Sequence, residues 1–235
     1  MAQYTISIII PVLNEAEIVA KTLGQLRQYP AVEVIVVDGG SIDNTVAIAQ
    51  RIAKVITVIG QGRAGQMNAG ADIAQSDILL FLHADTQLPS NFVELVSKTL
   101  QPPQVIAGAF ELKIDGSEKS LRLVEILVKI RSRLFSLPYG DQAIFVSQET
   151  FSKLGGFADL PIMEDFEFIQ RVKNKGKIAI APGAVITSGR RWQKLGVWKT
   201  TLINQLIIAG YYWGISPVKL GQFYRRQGKR QGKRK

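Results

Sequence analysis

Apolar residues in the first hundred positions are gathered into short, nearly continuous runs separated by stretches of a different period. Residues 5–12 (TISIIIPV), 34–38 (VIVVD), 55–59 (VITVI) and 78–83 (ILLFLH) are bounded by turn residues, the pattern of strands buried on both faces. Between them, residues 15–28 place Ile18, Val19, Thr22, Leu23 and Leu26 at helical spacing. Residues 43–53 open with Asp43-Asn44-Thr45, which is N-cap chemistry, before Val46, Ala49 and Ile52. Strands alternating with helices predict an α/β fold, a mostly parallel sheet flanked by helices and joined by right-handed crossovers.

Beyond residue 100 the pattern changes to an isolated strand at 105–114, a long helix over 117–137, a strand at 143–146, and then helices interleaved with loops. No linker-like stretch and no internal repeat separates the halves, so residues 1–195 are expected to form one domain. A helical segment at 196–224 and a flexible tail at 225–235 follow. The N-terminus lacks the basic n-region of a signal peptide, and its apolar run, broken by Pro11 and Asn14, reads as a first strand. The longest later apolar stretch, 202–215, is too short and too polar to span a bilayer. Both features predict a cytoplasmic protein, soluble or bound peripherally to the inner face of the membrane.

Composition narrows the chemistry. An apolar fraction of 46% with 20% charged residues is that of a globular chain. The absence of cysteine excludes disulfides, thiolate metal sites and cysteine nucleophiles, and the single histidine, His83, excludes any site with two or three His ligands from one chain. The net charge of +10 is uneven: seven basic residues lie in the tail 225–235 (RRQGKRQGKRK), leaving the rest at +3. No nucleic-acid module precedes that tail, which argues against a nucleic-acid partner.

Ligands of open parallel sheets bind beyond the carboxyl ends of the strands, and the residues there are consistently polar. The four runs lead into Pro11-Val12-Leu13-Asn14-Glu15, Asp38-Gly39-Gly40-Ser41, the Gly60–Gly65 stretch with Arg63, and His83-Ala84-Asp85, which would converge on one crevice. Singly, each has a structural alternative. Asp38-Gly39-Gly40-Ser41 also suits a tight turn with a helix cap, His83 and Asp85 suit a capped strand end, and Gly60–Gly65 matches neither a dinucleotide fingerprint nor a P-loop.

Together, IIIPVLNE (8–15), VVDGGSIDNT (36–45), GRAGQMNAGA (62–71) and FLHADT (81–86) resemble the family 2 glycosyltransferases, inverting enzymes with the GT-A nucleotide-diphospho-sugar transferase fold. The likeness continues through Gly140-Asp141-Gln142, Gly155-Gly156-Phe157, Met163-Glu164-Asp165-Phe166-Glu167 and Arg190-Arg191-Trp192, covering about residues 5 to 193. The FLHADT and RRW segments are most similar to those of small bacterial members, some linked to arsenosugar or radical-enzyme gene neighbourhoods. The resemblance implies a donor half over about 1–100, an acceptor half over about 101–195, and hexosyl transfer from a nucleotide-diphosphate sugar.

It also implies roles. Asp38 would bond the base or ribose, Pro11 and Glu15 would line that pocket, and Arg63 would approach the diphosphate. Asp85 would be the last acid of the "DxD" element, holding Mg²⁺ or Mn²⁺ against the phosphates. The first acid of that element is replaced by His83, a softer ligand that suits manganese better than magnesium, or a hydrogen-bonding neighbour of the nucleotide. Asp165 would be the catalytic base, with Glu164 beside it. Arg190 and Arg191 would clamp diphosphate or an anionic acceptor, and Trp192 would stack on a sugar. The alternative for Glu164, Asp165 and Glu167 is a set of dipole-favourable acids in a first helical turn, and for the RRW segment a solvated basic loop.

Two further functional classes fit the fold. A nucleotidyltransferase would carry a Gly-rich basic loop after the first strand, where this chain has Pro11–Glu15, and a non-catalytic nucleotide-sugar or membrane-binding protein would not need Asp165. The basic, apolar-striped segment 117–137 and the aromatic-rich segment 197–215 suit a membrane surface or a homodimer contact, with the tail attracted to anionic lipid. The acceptor, whether sugar, lipid or small molecule, is not specified by the sequence.

Overall fold

The computed structural model describes residues 4–229. Its strands are β1 Ile6–Val12, β2 Glu33–Asp38, β3 Lys54–Thr57, β4 Ile78–Phe81, β5 Thr86–Gln87, β6 Val105–Asp115, β7 Phe145–Ser147 and β8 Lys177–Ser188. The helices of the first half are α1 Ala16–Leu26, α2 Thr45–Ala49, α3 Gly62–Asp72 and α4 Phe92–Leu100. Those of the second are α5 Lys119–Phe135, α6 Gln148–Lys153, α7 Glu164–Lys173, α8 Arg190–Leu195, α9 Val197–Tyr212 and α10 Pro217–Lys229. All eight strands form one sheet in the order β3-β2-β1-β4-β7-β6-β8-β5. β1 to β4 are mutually parallel, β7 is antiparallel to both of its neighbours, and β6 and β8 are parallel.

The apolar runs are strands because both of their faces are covered. Ile8, Ile10, Val36 and Leu80 face α1 and α4 through Val19, Leu23, Phe92 and Val96. Their neighbours Ile9, Ile35, Val37 and Leu79 face α3 and the Phe151, Phe157 and Phe168 cluster on the other side. α3 lies close to the sheet because it presents small residues: a Cβ on Gly70 would sit 2.5 Å from Ile9 Cγ2 and 3.0 Å from Val37 Cγ2.

Several expectations change. The strand at 105–114 is not isolated but lies inside the sheet, between β7 and β8. The region expected to hold only helices and loops after residue 146 contains β8, at twelve residues the longest strand described. Its ladder with β6 shifts register where Ala181 and Ala184 face Phe110 and Glu111, so Pro182 and Gly183 form a bulge inside it. The Gly60–Gly65 stretch is not a glycine turn throughout, because α3 begins at Gly62. The helix expected over 43–53 is the single turn of α2. Residues 225–229, expected in a flexible tail, continue α10, and residues 230–235 lie outside the described residues.

Candidate active site

The loops after β1 and β2 are tied to each other. Asp38, 1% exposed, accepts hydrogen bonds from Gly40 N (2.9 Å) and Ser41 N (3.0 Å), closing the turn at the end of β2. Ser41 Oγ accepts from Asn14 N, Asn14 Oδ1 from Ile42 N, and Thr45 Oγ1 from Glu15 N, at 2.8, 2.9 and 2.9 Å. From α3, buried Gln66 donates to Val12 O and Val37 O, pinning the carboxyl ends of both strands. Asp38, the residue expected to meet a nucleotide, thus also holds the loop at that strand end. Pro11 is half-buried at the same strand end.

The residues after β4 contribute to two distinct clusters. In the first, Asp85 Oδ2 lies 3.2 Å from Arg190 Nη2 and Glu15 Oε2 lies 3.8 Å from the same nitrogen, so one guanidinium sits between two carboxylates. Arg190 Nε also donates to Ser188 Oγ at 3.1 Å, which anchors the side chain at the end of β8. Burial raises the Glu15 carboxyl above its usual range, with Arg190 opposing. This cluster borders a cleft of about 300 Å³ with Thr22, Gln87 and Thr187.

In the second cluster, Arg63 at the start of α3 pairs with Glu164 at the start of α7. Glu164 is 1% exposed, so it lies beneath Arg63 rather than on a surface that an acceptor could touch. Burial alone would weaken the charge on Arg63; Glu164 and Asp165 reverse that and hold it firmly protonated. Burial also pushes the Glu164 carboxyl up, with Arg63 opposing. Arg63 Nη1 lies 3.4 Å from His83 Nε2. Burial first and Arg63 second push the His83 imidazole down to about 4, so its ring is neutral at physiological pH.

Asp165 completes this cluster. Oδ2 accepts from Gly140 N at 2.6 Å and Oδ1 from Phe166 N at 2.8 Å, so two backbone donors set the carboxylate plane. Met163 precedes the helix at φ 72°, a left-handed residue that turns the chain from Pro161 into α7 and brings its first carboxylates to the cavity. Gly140 must be glycine for this approach: a Cβ there would lie 2.9 Å from Asp165 Oδ2 and 3.3 Å from His83 Nε2. The cavity, about 190 Å³, is bounded by Arg63, His83, Asp165, Tyr139, Asp141 and Tyr224 among others.

The RRW residues separate. Arg190 belongs to the Asp85 cluster, Arg191 stacks its guanidinium 3.7 Å from the Tyr224 ring centroid, and Trp192 is half-buried against the sheet core. Arg190 and Arg191, expected to clamp together, thus lie in different contacts, and Trp192, expected to stack on a sugar, packs against the core. Tyr139, Asp141, Asn204 and Tyr224 line the cavity without having been singled out as site residues. Of these, Asp141 stood within a recognised motif; burial pushes its carboxyl up to about 6, with Arg131 opposing, and Oδ1 has no hydrogen-bond partner. Tyr224 comes from α10, and no local pattern ties that helix to the strand ends.

Among the described residues no group of three or more acidic or histidine side chains converges as a metal-ligating cluster. The chemistry of the first cluster nonetheless fits a hard divalent cation: two carboxylates already bracket one positive group, and magnesium sites commonly supply one or two carboxylates and leave the remaining positions to phosphate and water.

Residues 7–152 match the model of the family described as "Glycosyl transferase family 2". An uncharacterized glycosyltransferase of Nostoc sp. is 26% identical over 126 residues, covering 49% of this chain and 39% of that protein. A PGL/p-HBAD biosynthesis glycosyltransferase of Mycobacterium bovis is 37% identical over 97 residues, covering 37% of this chain and 38% of that protein. The chain thus matches about two fifths of the length of these curated relatives. Among solved structures, S. aureus TarS 1-349 in complex with UDP-GlcNAc aligns with TM-score 0.64 at 17% identity, covering 78% of this chain and 58% of that one. GalNAc-T7 with UDP, GalNAc and Mn²⁺ aligns with TM-score 0.61 at 16% identity, covering 79% and 44%. These structural likenesses establish a GT-A fold, and with the family match over more than half its length the chain belongs to glycosyltransferase family 2.

Proposed function

We propose that the protein is an inverting glycosyltransferase that moves a sugar from a nucleotide-diphosphate sugar to an acceptor hydroxyl, with Asp165 as the base. The observation that carries this reading is the position of Asp165: a carboxylate oriented by two backbone N–H groups, in a cavity beside a permanently charged arginine and a neutral histidine. Its counterparts are two arginines that meet the end of β4 from different clusters, Arg63 at His83 and Arg190 at Asp85, and these would face a diphosphate.

In the reaction the acceptor oxygen attacks the anomeric carbon while its proton passes to Asp165. The bond from that carbon to the diphosphate oxygen breaks, and its electron pair leaves with the nucleoside diphosphate. General base catalysis of this kind contributes about 10²–10⁴ in rate. Arg63 and Arg190 neutralise charge developing on the leaving group, and the ion pair with Glu164 fixes Arg63 in place. Asp38 acts through the loop it closes, setting the position of Gly39 and Gly40 for the nucleoside. Asp85, with Glu15 beside it, would hold Mg²⁺ or Mn²⁺ in exchange for Arg190. Such an ion would supply further charge to the departing diphosphate. His83, neutral and without a carboxylate's charge, serves as a hydrogen-bonding neighbour of donor or phosphate.

TarS was solved with UDP-GlcNAc and GalNAc-T7 with UDP, GalNAc and Mn²⁺, which makes UDP sugars with and without Mn²⁺ the first donors to screen by thermal shift. The decisive experiment is Asp165→Asn. The variant should bind the donor found in that screen as the parent does and lose transfer and donor hydrolysis by about 10²–10⁴. Turnover equal to the parent's would remove Asp165 as the base, whereas a parent that binds donor without transfer or hydrolysis would favour a non-catalytic reading.

A further inference from the structure

We propose that the groove between α5 and α9 receives the aliphatic chain of an amphiphilic acceptor taken from an anionic lipid surface, and delivers its hydroxyl-bearing end to Asp165. The proposal rests on Asp165 being the catalytic base and names the class of acceptor that this site takes.

The groove has a volume of about 420 Å³, with Leu127, Ile130 and Phe135 on its α5 wall and Thr201 and Gln205 on its α9 wall. Its inner end is formed by Tyr139, Asp141 and Asn204, all three of which also bound the cavity that holds Asp165. The two spaces therefore meet at a shared set of side chains. Two polar atoms of the groove lining are buried without a partner, Asp141 Oδ1 and Trp192 Nε1. An orphaned acceptor and an orphaned indole donor each cost the fold free energy. A hydroxyl entering at the shared end would give Asp141 Oδ1 its missing donor, Trp192 Nε1 offers a donor elsewhere in the lining, and the remaining walls are mainly hydrocarbon.

The surroundings of the groove identify where such a molecule comes from. Fourteen of the nineteen large apolar side chains that are exposed among the described residues lie on α5, α9, α10 or the turn between the last two. α5 is apolar on both sides: Leu121 and Val124 pack inward, and Leu123, Ile126, Leu127, Ile130 and Leu134 face out. Trp198, Leu202 and Leu206 are exposed at i, i+4 spacing along α9, and Trp213 is exposed at its end. A concentration of this size on helices that pack against one another marks an interaction surface.

Its charge selects the partner. No Asp or Glu follows Glu167 anywhere in the sequence, and Lys199, Lys219, Arg225 and Arg226 are all exposed. An apolar surface with a basic border suits anionic lipid. Among the described residues no helix is long and apolar enough to cross a membrane, so contact would be at the interface.

The test uses the full chain and a series of alkyl glucosides, octyl, decyl and dodecyl, below their micelle concentrations, with glucose as the chainless control. Affinity, read by displacement of a fluorescent fatty probe, should rise about fourfold per added methylene, the fold-change equivalent to about 0.8 kcal/mol per buried CH₂. Leu127→Glu, which charges the groove wall, and Thr201→Trp, which fills it, should each weaken dodecyl glucoside at least tenfold and leave UDP binding by calorimetry unchanged. Affinity independent of chain length, or chain-length dependence that survives both substitutions, overturns the proposal. So does a stable homodimer in sedimentation velocity that Leu127→Glu dissociates, because the surface would then be covered by a second copy. Retained chain-length selectivity in a protein that binds no nucleotide sugar would uphold the groove and discard the glycosyl-transfer reading, so the two ideas fail separately.

Discussion

His83 and Asp141 face the same cavity, and burial moves them in opposite directions. The His83 value of about 4 lies below its usual 6.5, so the unfolded chain binds this proton more readily, and stability falls as pH drops from about 6.5 towards 4. Asp141, at about 6 against a usual 3.8, makes a contribution that is fully present below pH 3.8 and is lost as pH rises through 6. Each amounts to no more than about 3 kcal/mol, and in the window from pH 4 to 6 they largely cancel. Asp141→Asn should therefore be more stable than the parent to urea at pH 7.5, by about 1–3 kcal/mol, and equal to it near pH 4. It should also lose stability on acidification more steeply. Because His83 is the chain's only histidine, its ring protons can be followed by NMR without ambiguity. A midpoint near 6.5 rather than near 4 would show that the ring sits in water and that Arg63 does not reach it.

Residue identities at this site were largely legible from the sequence because strand ends are legible. An apolar run that stops at a polar residue announces its own carboxyl edge, which is how Glu15, Asp38, His83 and Asp85 came to attention. What those residues touch was not legible. Arg63 and Glu164 are 101 positions apart and Asp85 and Arg190 are 105 apart, and no local pattern encodes such pairings. Gly140 shows the same limit. Its role depends on the 2.9 Å that a Cβ would leave to Asp165, a distance set by two loops meeting. Gly140→Ala should displace the Asp165 carboxylate, lowering kcat at least tenfold while leaving the donor Kd within about twofold, a split that steady-state kinetics with calorimetry would resolve. Equal losses in both quantities would mean that the loop as a whole had collapsed.

Secondary-structure elements divide along the same physical line. β1, β2 and β4 could be read because their apolar runs are continuous. β8 could not, because Pro182 and Gly183 interrupt it, and only pairing with β6 on both sides of the bulge restores the strand. α3 was hidden for a related reason. Its sequence GRAGQMNAGAD contains three glycines and a weak apolar stripe that offset its three alanines and Arg63, Gln66 and Met67; packing settles the helix, because small residues let it lie against β1 and β2. Two glycine substitutions separate these contributions. Gly70→Ala forces a methyl group to 2.5 Å from Ile9 and should destabilise by about 1–3 kcal/mol despite alanine's better helix propensity. Gly24→Ala, on α1 with nothing within 4 Å of the added carbon, should stabilise by about 0.5–1 kcal/mol. Thermal denaturation of the two variants should give shifts of opposite sign. A rise for Gly70→Ala would mean that α3 can move off the sheet at little cost.

At the scale of the whole molecule, the asymmetry of charge is larger than the tail alone accounts for. The net +10 reads first as a terminal appendage on a nearly neutral body, yet every acid lies at or before Glu167, so residues 168–235 carry sixteen basic residues and no acid while residues 1–167 are net −6. The same stretch carries the exposed apolar residues of α9 and α10, and α9 packs against α5, which carries more. The two properties act over different ranges, and salt separates them. Attraction between basic residues and anionic lipid decays within a Debye length of about 8 Å at physiological ionic strength, whereas burial of Trp198 or Trp213 in an interface does not depend on screening. Cosedimentation with vesicles containing phosphatidylserine should therefore weaken steeply between 50 and 300 mM salt and then level off above zero. Deleting residues 230–235 removes Arg230, Lys233, Arg234 and Lys235, which at about 1 kcal/mol each near the surface should cost about 10²–10³ in affinity at low salt and little at high salt. Replacing Trp198 and Trp213 with Ser should do the reverse, abolishing the salt-resistant remainder while leaving the low-salt attraction in place. Loss of both components in either variant alone would mean that tail and apolar surface do not engage lipid independently, and binding that neither change weakens would move the contact to another face of the molecule.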